Sequence, residues 1–76
     1  MQSYYRTKDL TEATFLYASH MKIAKCEEDS GRVCFIFENG PSCEALAKSL
    51  WRREAIVNVR DFVDSSRTLR DILHNR

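Results

Sequence analysis

The sequence predicts a small α+β fold in which a β-hairpin packs with three helices, in the order α-β-β-α-α. Two neighbouring β-forming segments with a turn between them are flanked by segments that have capping residues and a helical spacing of apolar residues. With 76 residues, the chain is expected to form a single domain, residues 1–76, because a chain of this length builds only one small core.

The first helix is expected to begin at Asp9, after a flexible arm formed by residues 1–8. Asp9 and Glu12 have the spacing of a capping box, in which each side chain accepts a hydrogen bond from a backbone N–H at the helix start. The apolar positions that follow, up to Met21, cover more than one stripe. A helix with so wide an apolar arc is either sandwiched or faces a partner as well as its own core.

Residues 22–27 and 32–38 are expected to form the hairpin, joined by a turn in which Gly31 supplies a positive φ. The second strand is apolar on both faces, with Cys34 and Ile36 on one of them. This pattern predicts burial on both faces. A lone two-stranded hairpin is marginal in water, so either helices cover both sides or the hairpin pairs with another sheet edge.

The second helix is expected to start at Pro41 and to run to about Ala55. The third is expected to follow the N-cap Asn58, with Val57 and Phe62 at the positions of a hydrophobic staple, and to continue to the end of the chain. The side chains expected in the core are Leu10, Phe15, Leu16, Ile23, Val33, Phe35, Phe37, Leu46, Leu50, Trp51, Phe62, Val63, Leu69 and Ile72.

Charge and cysteine content restrict the classes of protein to consider. The chain has 12 basic and 11 acidic residues, a net charge of +1, which argues against strong non-specific binding to nucleic acid. Its three cysteines are an odd number, unlike a secreted disulfide framework. Residues 1–6 lack the apolar run of a signal peptide, and no apolar run is long enough for a membrane helix. We therefore expect a cytoplasmic protein with buried thiols.

No cofactor, metal site or catalytic site is expected. Structural zinc sites bring thiolates in close pairs, whereas Cys26, Cys34 and Cys43 are eight and nine residues apart. These thiols with His20 form the best alternative ligand set, but three buried hydrophobic side chains and a surface histidine explain the pattern better. The two glycines exclude a Gly-rich phosphate loop, and no motif places a nucleophile beside a base, so we do not expect an enzyme.

The sequence favours a non-catalytic binding module that acts through protein–protein contacts, as a homodimer or on a larger partner. The wide apolar arc of the first helix, the two-faced strand and the small size all favour this function. Trp51, expected in the core, has the alternative role of an interface anchor. The candidate residues for self-association are Phe15, Tyr17, Cys34 and Ile36.

The alternative function is a nucleic-acid-binding accessory domain, because aromatic and basic side chains alternate near the N-terminus in a pattern suited to base stacking and phosphate contact. The candidate residues for this surface are Tyr4, Tyr5, Arg6, Lys8, Arg52 and Arg53. Against it, the third helix alternates in charge at Arg60, Asp64, Arg67 and Asp71, which is typical of a solvated ladder of ion pairs.

The sequence resembles a family of short, uncharacterised bacterial and phage domains. The resemblance spans most of the chain and rests on Thr7 to Leu10, the strand Arg32 to Glu38, Trp51, and Val57 to Phe62. It implies a small accessory protein of a mobile element or its host that binds a host or phage protein, and it implies no catalytic residues. The Arg pair at 52–53 departs from the Asn-Gly-like turn expected after Trp51, so the second helix ends either there or one turn later.

Overall fold

The computed structural model describes residues 3–74 and has the order β-α-β-β-α-α, an α+β fold with one strand more than the sequence predicts. The three predicted helices and the predicted hairpin are all present. The elements are β1 (Tyr4–Thr7), α1 (Leu10–Ala18), β2 (Ile23–Asp29), β3 (Arg32–Glu38), α2 (Gly40–Trp51) and α3 (Val59–His74).

The additional strand corrects the expectation of a flexible N-terminal arm at residues 4–7. β1 pairs antiparallel with β3, with Tyr4 opposite Glu38 and Thr7 opposite Phe35. The strand order is β1-β3-β2, so β3 is the central strand of a three-stranded sheet. The sequence Tyr-Tyr-Arg-Thr suits a strand, because aromatic and β-branched side chains pack well on a pleated surface. The first two residues of the expected arm lie outside the described residues.

The two faces of β3 are covered in different ways. Phe35 and Phe37 join the main core, which consists of Ala13, Leu16, Phe35, Phe37, Cys43 and Leu69. Cys34 and Ile36 alternate with these residues and therefore point to the opposite face. On that face Arg6 of β1 lies opposite Ile36, and Glu27 of β2 lies opposite Cys34. Arg6 and Glu27 form an ion pair of 2.9 Å between the two outer strands, across β3.

Helix α1 is sandwiched, which explains its wide apolar arc. It contacts α2, α3 and β1, and Ala13, Phe15 and Leu16 are buried in it. Asp9 is its N-cap as predicted, since the carboxylate accepts a hydrogen bond from the backbone N–H of Glu12 at 2.8 Å. The reciprocal bond of the predicted capping box is replaced, because the Glu12 carboxylate accepts hydrogen bonds from two other side chains, described below.

Helix α2 begins where the chain passes close to β1. The backbone N–H of Gly40 donates to the carbonyl of Ser3 at 3.1 Å. A Cβ on Gly40 would lie 3.2 Å from the carbonyl oxygen of Tyr4, so a glycine permits this close approach. Asn39 is the N-cap, its side chain accepting a hydrogen bond from the N–H of Ser42 at 3.3 Å.

Helix α2 ends at Trp51, one turn before the predicted end near Ala55. Arg53 adopts a left-handed conformation with φ of 63°. Its N–H donates to the carbonyl of Leu50 at 3.1 Å, and the N–H of Glu54 donates to the carbonyl of Ser49 at 2.9 Å. These two bonds define a Schellman motif. The left-handed residue of this motif is usually glycine, so the sequence with arginine at this position did not predict it.

The hairpin turn and the outer strand β2 carry two local features. Ser30 and Gly31 both have positive φ, of 54° and 80°, the conformation of a type I′ turn and the one predicted for Gly31. In β2, the register against β3 shifts between Ile23 and Lys25, a β-bulge at Ala24. No helix in residues 3–74 is long and apolar enough to cross a membrane.

Most of the expected core is buried or half-buried, with two corrections. Trp51 is 57 % exposed and Val63 is 40 % exposed. Ala13 and Ala47 are also buried, where helices approach each other or the sheet, although they are not among the side chains expected in the core. Small residues give no strong hydrophobic signal, yet they set how closely two elements approach.

Candidate functional site

The Glu12 carboxylate joins three elements, β1, α1 and α2. Glu12 is only 7 % exposed. One carboxylate oxygen accepts a hydrogen bond from the Tyr5 hydroxyl of β1, and the other accepts one from the Trp51 indole N–H of α2, both at 2.6 Å. A buried carboxylate is stable only when its oxygens have such donors. Glu12 therefore fixes the position of both aromatic side chains.

The protonation of Tyr5 suits this role. Burial raises the pKa of the Tyr5 hydroxyl above its ordinary value, and the hydrogen bond to Glu12 raises this pKa further. The hydroxyl therefore remains a donor throughout the neutral range. Both donors point at Glu12, so the cluster holds the Trp51 indole in place.

A shallow cavity of about 480 Å³ lies beside Trp51, and its lining consists of Tyr5, Glu44, Ala47, Lys48, Trp51 and Arg52. Lys48 forms an ion pair with Glu44 at 3.4 Å, and Arg52 is exposed. An aromatic ring held by its edge, with part of its surface in solvent and cations beside it, can stack on a flat ligand group.

The six residues predicted for a nucleic-acid surface do not form one surface. Tyr4 and Arg6 alternate with Tyr5 along β1, so they lie on the opposite face of the sheet. Tyr5 shares the Trp51 cavity with Arg52, and Arg53 is in the turn that follows α2. Tyr4 and Arg6 thus lie on one face of the sheet and Tyr5 and Arg52 lie beside Trp51, and binding of nucleic acid by these residues stays a prediction.

Acidic neighbours neutralise the cations on the sheet face. Arg6 pairs with Glu27 at 2.9 Å, and Lys8 pairs with Asp29 at 2.8 Å. Hydrogen bonds from Lys25 and then from Arg6 lower the pKa of Glu27, and the hydrogen bond from Lys8 lowers the pKa of Asp29. These carboxylates are thus ionised at neutral pH, and the face does not offer a continuous positive field for phosphate.

The residues predicted for self-association already have neighbours within the single chain. Phe15 and Ile36 are each 2 % exposed, Cys34 is 3 % exposed, and Tyr17 is half-buried against the core. Their packing accounts for the apolar pattern that suggested an interface. Whether they also contribute to association stays a prediction.

The most exposed of the large apolar side chains described lie just before α3 and in its first turn, and of the exposed apolar residues in this region only Val63 was expected in the core. Ile56 is 93 % exposed and Val59 is 77 % exposed. Val59 and Val63 are four residues apart in α3 and therefore share one face. The helix buries a different face, through Ser65 and Leu69. The helical spacing of apolar residues predicts burial of Phe62 and Leu69. It does not distinguish them from the adjacent exposed stripe of Val59 and Val63, because valine is apolar too.

The predicted charge ladder of α3 is present in part. Arg60 Nε lies 3.5 Å from Asp64 Oδ2, an exposed i,i+4 pair. The three cysteines are not joined in disulfides, and burial raises the pKa of the Cys43 thiol. Within residues 3–74 no group of His, Cys, Asp and Glu side chains is arranged to hold a metal ion.

Comparison with known proteins gives one match. The model of a family described as a domain of unknown function (DUF5659) matches residues 2–75. This match confirms the resemblance to a family of short, uncharacterised domains. No curated protein and no solved structure matches the sequence significantly.

Proposed function

Because the chain belongs to the DUF5659 family, whose model describes a domain of unknown function, we propose a role from the physical properties of the fold. The protein is a small, non-catalytic binding module that acts through protein–protein contacts. The observation that supports this proposal is the exposed apolar stripe of Val59 and Val63 on α3, called the α3 surface below, with the exposed Ile56 three residues before Val59 in sequence.

The α3 surface is costly to leave in water. Burying a valine or isoleucine side chain fully contributes about 1.5–3 kcal/mol. A single exposed apolar residue needs no explanation, but two on one helical face, with a third three residues before them in sequence, present apolar surface that a partner can cover. An apolar stripe on a helix fits another helix or a protein groove better than it fits a small polar ligand.

The polar cluster supports a non-catalytic role. The Glu12 oxygens are both engaged by donors from Tyr5 and Trp51, so the carboxylate has no obvious capacity to act on a substrate. The Cys34 and Cys43 thiols are buried, whereas a nucleophilic cysteine has to be reachable by its substrate. The same buried thiols support our proposal of a cytoplasmic location, where cysteines stay reduced.

Site-specific photo-crosslinking in cells that express the protein tests the proposed function. A photoreactive amino acid at position 63 should give crosslinks to protein, identified by mass spectrometry. The matched control carries it at position 45, an exposed alanine on α2. Equal crosslinking from both positions, or no protein crosslink from position 63, would contradict the proposal.

A second candidate function, binding of single-stranded nucleic acid, is favoured by the Trp51 cavity. The Trp51 ring is 57 % exposed, and Lys48 and Arg52 lie beside it. Stacking of a base on an aromatic ring contributes about 1–3 kcal/mol, and nearby cations contact phosphates. With this second function, the protein would be a nucleic-acid-binding accessory domain of a mobile element. With the first function, it would bind a host or phage protein.

Trp51 fluorescence tests this second candidate directly, since the chain has one tryptophan. Single-stranded oligonucleotide should quench the fluorescence, and affinity should fall with salt, with a slope of log affinity on log salt of about −0.7 per phosphate contacted. Lys48→Glu with Arg52→Glu should remove the binding, whereas Arg70→Glu, on the exposed face of α3, should not. Absence of quenching at low salt would exclude the candidate.

A further inference from the structure

We propose that the partner at the α3 surface is a second copy of the chain, bound by antiparallel pairing of α3 with α3 of that copy about a two-fold axis. This inference rests on the proposed function and names its partner. It is carried by the exposed valines together with the order of charges beside them on the same helix.

The charged residues of α3 form a self-complementary series. Arg60, Asp64, Arg67 and Asp71 follow one another at spacings of four, three and four residues and therefore lie along one face. Their charges alternate as plus, minus, plus, minus. Reversal of the helix direction gives the opposite series, so two antiparallel copies can place every charge against its opposite.

The positions of these charges set the register of the two α3 helices. If the two-fold axis passes between Ser65 and Ser66, Arg60 of one copy faces Asp71 of the other, and Asp64 faces Arg67. A parallel two-fold pair would place each charge opposite the same charge and would be repelled. The series of charges therefore selects the antiparallel orientation.

The same registration brings the apolar side chains together. Val59 and Val63 precede Arg60 and Asp64 by one residue, so the valine stripe runs beside the charged stripe, about 100° round the helix. The Val63 residues of the two copies are then five positions apart along the direction of the helices. At a rise of 1.5 Å per residue this separation is about 8 Å.

The area buried in this contact sets the affinity that we expect for the dimer. A helix of 16 residues is about 24 Å long, and one face of it buries less than the surface of a standard interface. Interfaces below about 1,200 Å² are typical of weak, reversible complexes. We expect a dimer with a dissociation constant in the micromolar range, about 10⁻⁶ to 10⁻⁴ M.

Charge variants test the pairing by sedimentation velocity over a range of concentrations. An acidic variant, Arg60→Asp with Arg67→Asp, and a basic variant, Asp64→Arg with Asp71→Arg, should each weaken dimerisation at least about tenfold, because like charges then face each other. An equimolar mixture of the two should recover dimers at the wild-type strength. Dimers of unchanged strength in either variant, or no recovery on mixing, would overturn the inference.

The matched control reverses all four charges in one chain, which keeps the series self-complementary. It should dimerise like the wild type. Val63→Ser should weaken the dimer without changing any charge, and circular dichroism shows whether each variant is folded. A monomeric wild type whose position 63 crosslinks to another protein would refute this inference and leave the proposed function intact, whereas no protein crosslink at all would refute both.

Discussion

Glu12 and Trp51 are 39 residues apart in sequence and are joined by a hydrogen bond of 2.6 Å from the indole Nε1 to the carboxylate Oε2. Because Tyr5 donates to the other oxygen at the same distance, Glu12 ties β1, α1 and α2 together. The carboxylate is nearly inaccessible to water, so replacement of either donor or acceptor leaves a polar atom without its partner.

Glu12→Gln should therefore destabilise the protein. The amide has an NH₂ group in place of one acceptor oxygen, so either the Trp51 N–H or the Tyr5 O–H proton loses its acceptor, even where the Tyr5 oxygen accepts from the new NH₂ group. An unsatisfied buried polar group costs about 1–3 kcal/mol. Urea unfolding followed by Trp51 fluorescence measures the change in the free energy of unfolding. Glu44→Gln, at an exposed position on α2, is the control and should change it little. A free energy of unfolding for Glu12→Gln equal to that of the control would contradict this assignment.

Alkaline pH should destabilise the protein through Tyr5. Burial and the bond to Glu12 raise the pKa of this hydroxyl in the folded state, so the folded protein holds the proton more tightly than the unfolded chain does. The contribution of the Tyr5 hydroxyl to the free energy of unfolding is fully present below the ordinary tyrosine pKa of about 10. It is lost as the pH rises toward the pKa of Tyr5 in the folded state.

An absorbance titration near 295 nm checks this, because the Tyr5 hydroxyl should ionise above the ordinary tyrosine pKa of about 10. Tyr5→Phe should remove that late transition and flatten the decline of stability above pH 10. If Tyr5→Phe leaves the high-pH part of the titration of the folded protein unchanged, the burial and bonding of Tyr5 are refuted.

Arg53→Gly should stabilise the protein. Arg53 holds a left-handed φ of 63° at the end of α2, a conformation that glycine adopts without steric conflict. We expect a gain of about 0.5–1 kcal/mol, seen as a rise of the thermal midpoint by about 2–8 °C. Ala45→Gly inside the same helix is the matched control and should lower stability by a similar amount. A loss of stability in both variants would show that the left-handed position is not strained.

Arg6→Ala should expose Cys34 without much change in stability. The Arg6 side chain reaches across β3 to Glu27, on the face where Cys34 is 3 % exposed. Exposed ion pairs contribute about 0–1 kcal/mol, so the fold should persist. Thiol labelling followed by mass spectrometry should show faster modification of Cys34 and an unchanged rate for Cys43, which lies in the main core. Unchanged labelling of Cys34 would mean that other side chains cover it.

Local signals in the sequence identify most of the fold. The N-caps Asp9 and Asn58 accept the predicted backbone hydrogen bonds, at 2.8 Å from Glu12 and 3.1 Å from Asp61. The hairpin turn also has the predicted positive φ at Gly31. These features depend on residues within a few positions of each other, so their chemistry is visible in a short window.

Features that depend on distant residues were not visible in this way. β1 has four residues, and its partner β3 is about thirty positions later, so no local periodicity marks it as a strand. Trp51 is large and apolar, which predicts burial, but its position is set by the carboxylate of Glu12. The candidate surface at Val63 was missed because valine satisfies the pattern of the core and that of an interface equally.

The β-bulge at Ala24 has a consequence for how the protein behaves at high concentration. β2 is an outer strand, and its bulge interrupts the regular spacing of backbone groups to which another strand would attach. Lys25 and Glu27 add charge along the same segment. Such an edge resists the open-ended strand addition that leads to fibrils. Concentrated solutions should therefore remain clear and free of amyloid, and any assemblies that form should dissolve on dilution.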